Sequence, residues 1–416
     1  MDFQPKSCKK IRQLIDKGVD IPNPGTLDIG EDVNIDRISQ EGVTIYPGCR
    51  IYGGKTVISS GCQLGYEAPA TIEDCQLGSK VALKGGFFSK SVFLEKASMG
   101  MGAHVREGCI LEEEASGAHC VGLKQTILFP FVTLGSLINF CDCLMAGGTS
   151  RSNHSEVGSS YIHFNYTPDA DKTTPSLLGD VPRGVMLNQP PIFLGGQGGM
   201  VGPLRLGYGN VAAAGSILRH DYPQDNQLIV DTPPSSGVRD FVPAAYPHLH
   251  HLLENNIFYL ANLRALEAWY KNVRKTFFET QEFGTFLYDG AMDVLSLARN
   301  ERLKRLRIMA EKTASPSLNL KPESSAIRQA FHEHIEKIEI VLNETMQDDA
   351  RERDREAFLG SLAQSGCNGR KPYIETIQNL SPDLSAKGEK WLQGIVDYYC
   401  QRIATVISSI PLFRTS

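Results

Sequence analysis

The sequence predicts a left-handed parallel β-helix followed by an all-α region. Two patterns carry the prediction: aliphatic residues recur at every sixth position in the first half, and apolar residues recur at intervals of three and four in the second. A period of six is neither helical nor the alternation of a simple strand. It fits a triangular coil in which each flat side supplies one inward aliphatic side chain.

The six-residue spacing holds at Ile45, Ile51 and Val57, at Ile58 and Leu64, at Leu77 and Leu83, at Leu128 and Leu134, and at Leu206, Ala212 and Leu218. Pairs such as Leu64-Gly65, Leu77-Gly78, Leu134-Gly135 and Leu206-Gly207 place a glycine where the chain bends, and glycine reaches backbone angles closed to other residues. Coils of this kind stack their strands in parallel into a quasi-one-dimensional solenoid, expected over about residues 25–222. Two stretches break the period: 147–171, rich in Ser, Asn, Thr and Asp, and the glycine-rich run 194–200. Long loops on a regular scaffold are where binding groups usually sit.

Past residue 222 the character changes. Pro233, Pro234, Ser235, Ser236 and Gly237 read as a linker. Helical spacing then follows at Leu253, Ile257, Leu260, Leu263 and Leu266, at Phe331, Ile335, Ile338 and Leu342, and at Leu392, Ile395, Tyr399, Ile403 and Val406. Another helix is expected over about 285–312, with Pro316 and Pro322 marking a break. The expected organisation is an N-terminal linker-type helix over 1–22, the β-helix with inserted loops over 23–240, and a helical domain over 241–416. That domain's apolar stripes have three possible partners: each other, the solenoid, or a neighbouring subunit.

The 416 residues carry a net charge of -5, so no basic field exists to hold nucleic acid or an anionic membrane surface. The charged amino terminus lacks the apolar core of a secretory signal, and no stretch has the roughly 18 unbroken apolar residues of a membrane span. A soluble cytoplasmic protein with reduced thiols is expected. The ten cysteines are scattered, and those at 49, 62 and 75 read as small buried packing residues rather than metal ligands. Glu112, Glu113 and Glu114 read as a solvated turn. His248, His250 and His251 open the first long helix, and a metal site there would need more ligands.

Three stretches carry a family resemblance. They are Leu14 through Pro24 with Leu27-Asp28-Ile29-Gly30, then Glu156-Val157-Gly158 leading to Asn165-Tyr166 with Lys172 and Gly179-Asp180 downstream, then Leu206 through Ile217. Together they span about residues 10–222 and resemble the acetyltransferase half of the bifunctional N-acetylglucosamine-1-phosphate uridyltransferase/glucosamine-1-phosphate acetyltransferase family, within the hexapeptide-repeat acyltransferases. The family's amino-terminal nucleotidyltransferase domain has no counterpart here, so uridyl transfer is not expected. The resemblance implies a homotrimer with an acetyl-CoA and amino-sugar phosphate site between subunits, where two adjacent solenoids form a groove that a flat face lacks.

Amine attack on a thioester needs a base, a donor for the developing oxyanion and cations for the sugar phosphate. The family places its histidine base just upstream of the stretch matching Glu156-Val157-Gly158, where a gapless count lands on Gly148. The candidate bases are therefore His154, six positions later, and His163, two before Asn165; a surface-loop and a packed coil-face role are the alternatives. Asn165 and Tyr166 are expected to bind the sugar, with side chains facing opposite ways along a strand. Arg151 and Lys172 are candidate phosphate ligands, and Arg183 and Arg205 flank the same loops. Ala212, Ala213, Ala214 and Gly215 resemble the coil whose backbone lies against coenzyme A, with Arg219 beside it; ordinary coil packing is the alternative. The glycine run at 194–200 lacks the strand-then-helix setting of a dinucleotide loop.

Three functions fit. The first is acetyl transfer from acetyl-CoA to a phosphorylated or nucleotide-linked amino sugar. The second is a non-catalytic sugar-nucleotide binder that keeps the trimeric groove without its base. The third is a scaffold whose helical domain recruits another protein.

Overall fold

The computed structural model describes residues 8–231, 236–238, 240–314, 322–346, 348–364, 369–410 and 412–413. Pro233, Pro234, Ser235, Pro316 and Cys367, which figure in the expectations above, lie outside these. Among the described residues no helix is long and apolar enough to cross a membrane.

The chain opens on α1 (Cys8–Lys17), which buries Ile11 and Leu14 and stops at Gly18, whose φ of 111° suits glycine. The ammonium of Lys10 reaches the carbonyls of Gly30, Glu31 and Val33, and that of Lys17 reaches Ile35. Those contacts close the first coil, whose outer edge pairs with no further strand among the described residues.

Thereafter the backbone winds as a parallel β-solenoid with three flat faces. The first face stacks ten strands, from Asp28–Ile29 to Ile217–Leu218; the second stacks eight, from Val57–Ile58 to Arg205–Leu206; the third stacks ten, from Thr44–Ile45 to Leu228–Ile229. In the short strands the second residue points inward. On the third face this builds a core ladder through Ile45, Leu64, Leu83, Met99, Gly117, Leu134, Val157, Leu194, Ala212 and Ile229. Gly117 has no side chain because Met99 fills its place: an added Cβ would lie 2.8 Å from Met99 Cε. The phase of the repeat slips by one residue after Ile51, so Ile58 is the inward member of its strand and Val57 points outward.

That outward position on the second face is apolar on coil after coil: Val57, Val92, Ile110, Ile127, Leu144 and Leu177, with Gln76 and Arg205 as the polar members. All six apolar residues are buried. A sheet buried on both sides reads as continuous apolar pairs, and the cover is the helical half of the chain. Past the single turn α2 (Val181–Gly184), this half comprises α3 (Leu249–Trp269), α4 (Lys275–Phe278), α5 (Gly284–Thr313), α6 (Pro322–Asn343), α7 (Asp349–Gln364), α8 (Tyr373–Gln378) and α9 (Pro382–Val406). α5 lies against the strands at 76–77 and 92–93, and α3 against that at 176–178. Of the three possible partners for the helical stripes, the solenoid is one. Close approach explains Gly290 on α5: a Cβ there would sit 2.3 Å from Gln76 Oε1.

Two expectations change. The glycine run at 194–200 is no loop but an ordinary corner between strands Phe193–Leu194 and Gly199–Val201, and its glycines are there because coils touch backbone to backbone. A Cβ on Gly195 would lie 2.3 Å from Ala214 N. Nor is the glutamate run a solvated turn. Glu112 and Glu113 are buried beneath the π-helical turn Tyr270–Arg274 that joins α3 to α4. The Tyr270 hydroxyl donates to Glu112 at 2.5 Å, and the Arg274 guanidinium donates to both oxygens of Glu113 at 3.1 and 2.7 Å. Burial, with Glu113 nearby and against the pull of Arg274, pushes the Glu112 carboxyl well above the usual carboxylate range. Cys49, Cys62 and Cys75 are core residues, each just before a strand on a different face, and burial shifts their thiols upward.

Removing Arg274 leaves the Glu113 carboxylate buried without its partner. Arg274→Ala is expected to cost about 3–5 kcal/mol, measured as the fall in unfolding free energy in urea; a loss under about 1 kcal/mol would show that the network does not fasten the helices.

Candidate functional site

The expected break at 147–171 resolves into a short antiparallel hairpin, Gly148–Ser150 against Asn153–His154, after which the solenoid resumes with Glu156–Val157 on the third face and Ile162–Phe164 on the first. The hairpin projects at the corner between the second and third faces. Its tip is fixed from below by Arg151, whose Nη1 donates to the carbonyls of Glu114 and Phe131, both at 3.0 Å, and to Thr133 Oγ1 at 2.9 Å. The Gln378 amide of α8 holds it from the side, donating to Thr149 O at 2.6 Å. Arg151 is thus spent on the scaffold.

His154 is half-buried on the returning strand. Its Nδ1 lies 2.8 Å from the Arg151 carbonyl oxygen. A carbonyl only accepts, so Nδ1 carries the hydrogen and Nε2 of the neutral ring keeps its lone pair. Nε2 lies 3.6 Å from Glu156 Oε2, close enough to stabilise the ring once it gains a proton. Sequence reasoning gave Glu156 no role; its signal was the two-residue offset from a histidine, which on an extended segment puts both side chains on one side. Opposite His154 in the hairpin stands Gly148. A Cβ on Gly148 would lie 2.6 Å from His154 Cα, so the close pairing requires glycine.

From Glu156 the outward positions of the third face run through Phe193, Val211 and Leu228, all exposed. The coil of Ala212, Ala213, Ala214 and Gly215 therefore lies two rungs, about 10 Å, along the same face. Ala212 points into the core, while Ala214 and Gly215 are exposed and nothing stands within 4 Å of where a Gly215 Cβ would be. Arg219, past the next corner, is half-buried and donates to Ile217 O at 2.8 Å.

No protein-family model matches the chain. Individual relatives do. Over half its length this chain is similar to GlmU. The proteins called Bifunctional protein GlmU from Thermotoga maritima and Fervidobacterium nodosum are each 29% identical, over 216 and 215 residues, covering 52% of this chain and 43% and 42% of theirs. That of Trichlorobacter lovleyi is 28% identical over 222 residues, 53% of this chain and 43% of its own. The chain thus spans less than half the length of these curated relatives, and the resemblance is to a hexapeptide-repeat acyltransferase.

The remaining candidates sit elsewhere. His163 is buried against Phe140, with Nδ1 on the Cys141 carbonyl and Nε2 2.9 Å from Ser176 Oγ. Both ring nitrogens are engaged, leaving none to take a substrate proton. Asn165, half-buried, donates to Asp142 Oδ2 at 2.9 Å, and Asp142 in turn receives Arg302 of α5 at 2.8 Å. Arg302 also donates to the Lys172 carbonyl at 3.2 Å. Asn165 and the Lys172 backbone therefore help seat the helices at the corner between the first and second faces, not the corner that carries His154. Tyr166 faces the other way and is 72% exposed. Within one chain His154 and the Asn165-Tyr166 pair are not brought together.

Burial drives the His163 pKa down to about 4, although Asp142 and the Cys141 carbonyl pull it up. Its folded value lies below its unfolded value, so its contribution to stability is present above about pH 6.5 and is lost as pH falls toward 4. Melting curves from pH 7 to 4 should show a loss of about 3 kcal/mol that His163→Gln removes. An unchanged pH profile in that variant would refute the assignment.

Proposed function

We propose that this chain transfers an acetyl group from acetyl-CoA to the amine of a phosphorylated or nucleotide-linked amino sugar, with His154 as the base. One observation carries this reading. The position that the GlmU-like family would fill with a histidine is Gly148 here, and the hairpin folds His154 back to stand directly opposite it. A displacement of six residues along the chain closes in space.

In the proposed reaction the amine nitrogen attacks the thioester carbonyl while His154 Nε2 removes its proton. The carbon–nitrogen bond forms, the carbon–sulfur bond breaks, and the proton passes from the ring to the departing thiolate. Glu156 stabilises the charged ring between those steps. The exposed path from Glu156 to Ala214 and Gly215 is where the pantetheine arm would lie. A homotrimer completes the site, since a second copy is needed to bring Tyr166 and the Lys172 ammonium to the His154 corner. Exposed apolar ladders on both uncovered faces support that assembly: Ile162, Phe164 and Val201 on the first, Phe193, Val211 and Leu228 on the third.

The engagement of Arg151 and Asn165 in intramolecular bonds favours a second reading, a sugar-nucleotide binder without turnover. Labelled acetyl-CoA and a panel of amino-sugar phosphates separate the two. Acetyl transfer should fall about 10²–10⁴-fold in His154→Ala. Absence of both turnover and coenzyme A binding by calorimetry would overturn the transferase reading, and nucleotide-sugar binding on its own would establish the second.

A further inference from the structure

A cleft of about 860 Å³ runs between α5 and the corner joining the first and second faces, well away from His154. That corner repeats one backbone conformation on five successive coils: Asp74, Lys90, Gly108, Gln125 and Asp142 all have positive φ, between 47° and 85°. Of these, Asp74, Lys90 and Gln125 line the cleft, Asp142 pairs with Arg302 of α5, and Gly108 leaves room for Gln125. Two ion pairs bridge the corner and α5: Lys55 with Asp293 at 2.7 Å in the cleft lining, and Arg302 with Asp142 at 2.8 Å beyond it. Along the cleft α5 presents Asp293, Ser296, Asn300, Glu301 and Lys304 beside the apolar Val294 and Leu297.

The lining carries Lys55, Lys90, Lys124, Lys304 and Arg305 against Asp74, Glu107, Asp293 and Glu301, an excess of one positive charge. Lys124 is paired with Glu107 at 2.7 Å and Arg305 with Glu301 at 2.6 Å. Lys90 on the corner and Lys304 on α5 make no ion pair among the described residues, and neither does Asp74, so two ammonium groups and one carboxylate are left to a ligand in a half-open groove. A second feature is Gln125. It is only 5% exposed, lines the same cleft, and its buried amide oxygen has no hydrogen-bond partner. The amide lies over the space that Gly108 leaves open, since a Cβ on Gly108 would meet Gln125 Nε2 at 2.5 Å. A buried acceptor without a donor is unfavourable until one arrives.

We propose that this cleft binds a phosphorylated small metabolite, its phosphate held by Lys90 and Lys304 and a hydroxyl or amide N–H donated to Gln125. Two unpaired ammonium groups give a phosphate its counter-charge while Asp74 beside them can accept from a ligand hydroxyl, the cleft's volume suits a ligand up to the size of a nucleotide sugar, and the missing donor is supplied by a sugar or base. The site is separate from the acyl-transfer groove and stands whether or not transfer occurs.

Calorimetry on the full chain tests it with three probes: inorganic phosphate, glucose 6-phosphate and UDP-glucose. At least one of the two organic phosphates should bind, and the pair tells a monoester site from a diphosphate site. Lys90→Gln with Lys304→Gln, both exposed positions whose change leaves the fold intact by circular dichroism, should weaken that binding at least tenfold. Gln125→Met should weaken the organic phosphates while leaving inorganic phosphate unchanged. Failure of both organic phosphates to bind at millimolar concentration, or binding that the double variant leaves within twofold, overturns the proposal. So does binding that is lost instead in His154→Ala, which would locate it at the hairpin.

Discussion

The outward apolar ladder on the second face is the constraint from which the rest of the architecture follows. Val57, Val92, Ile110, Ile127, Leu144 and Leu177 form a strip along most of the solenoid. Left in water it would be a large exposed hydrophobic surface. Covering it with helices removes that surface, yet it also buries whatever polar groups the strip's borders carry. The charged and amide contacts between the two halves satisfy those groups: Arg274 with Glu113, Arg302 with Asp142, Asn256 with Thr173 O, and Asn262 accepting from Val181 N. Such pairs add little net free energy but fix the register of the helices, because a misplaced helix would strand a charge.

The same covering decides where chemistry can occur. One face and the Asn165 end of its border with the first face are committed to holding the helices, so open surface remains on the first and third faces, at the hairpin corner and in the cleft beside α5. Residues that look like ligands in the sequence become structural for this reason. Asn165 and Lys172 touch the network of Arg302, and His163 lies beneath it as a linker between Cys141 and Ser176.

Much of the solenoid was legible because its rule is local. Each inward residue depends on its own coil, and the six-residue spacing reports it directly. The helices were legible from their stripes at α3, α6 and α9, whereas α7, with its charged run through Arg351, Glu352, Arg353 and Asp354, offers little periodicity to read. What the spacing did not reveal is pairing across distance. The doublets Val57-Ile58, Val92-Phe93, Ile110-Leu111, Ile127-Leu128 and Leu144-Met145 announce a doubly covered face, but only when the coils are aligned and the outward position compared from one to the next. The burial of Glu112 and Glu113 likewise follows from Arg274, some 160 positions on. In the candidate site, His154 was visible as a residue type, while its place opposite Gly148 depends on an antiparallel pairing that a count along the chain reads as a displacement.

The hairpin at 148–154 has a further implication. Thr133 and Glu156 are direct neighbours on the third face, so the solenoid keeps its register on both sides of the excursion as though it were absent. The hairpin is therefore an insertion that the strand ladder does not need, although Arg151 and Gln378 tie it to the coil below and to α8. Its seven residues can vary in sequence without changing the register of the coils on either side.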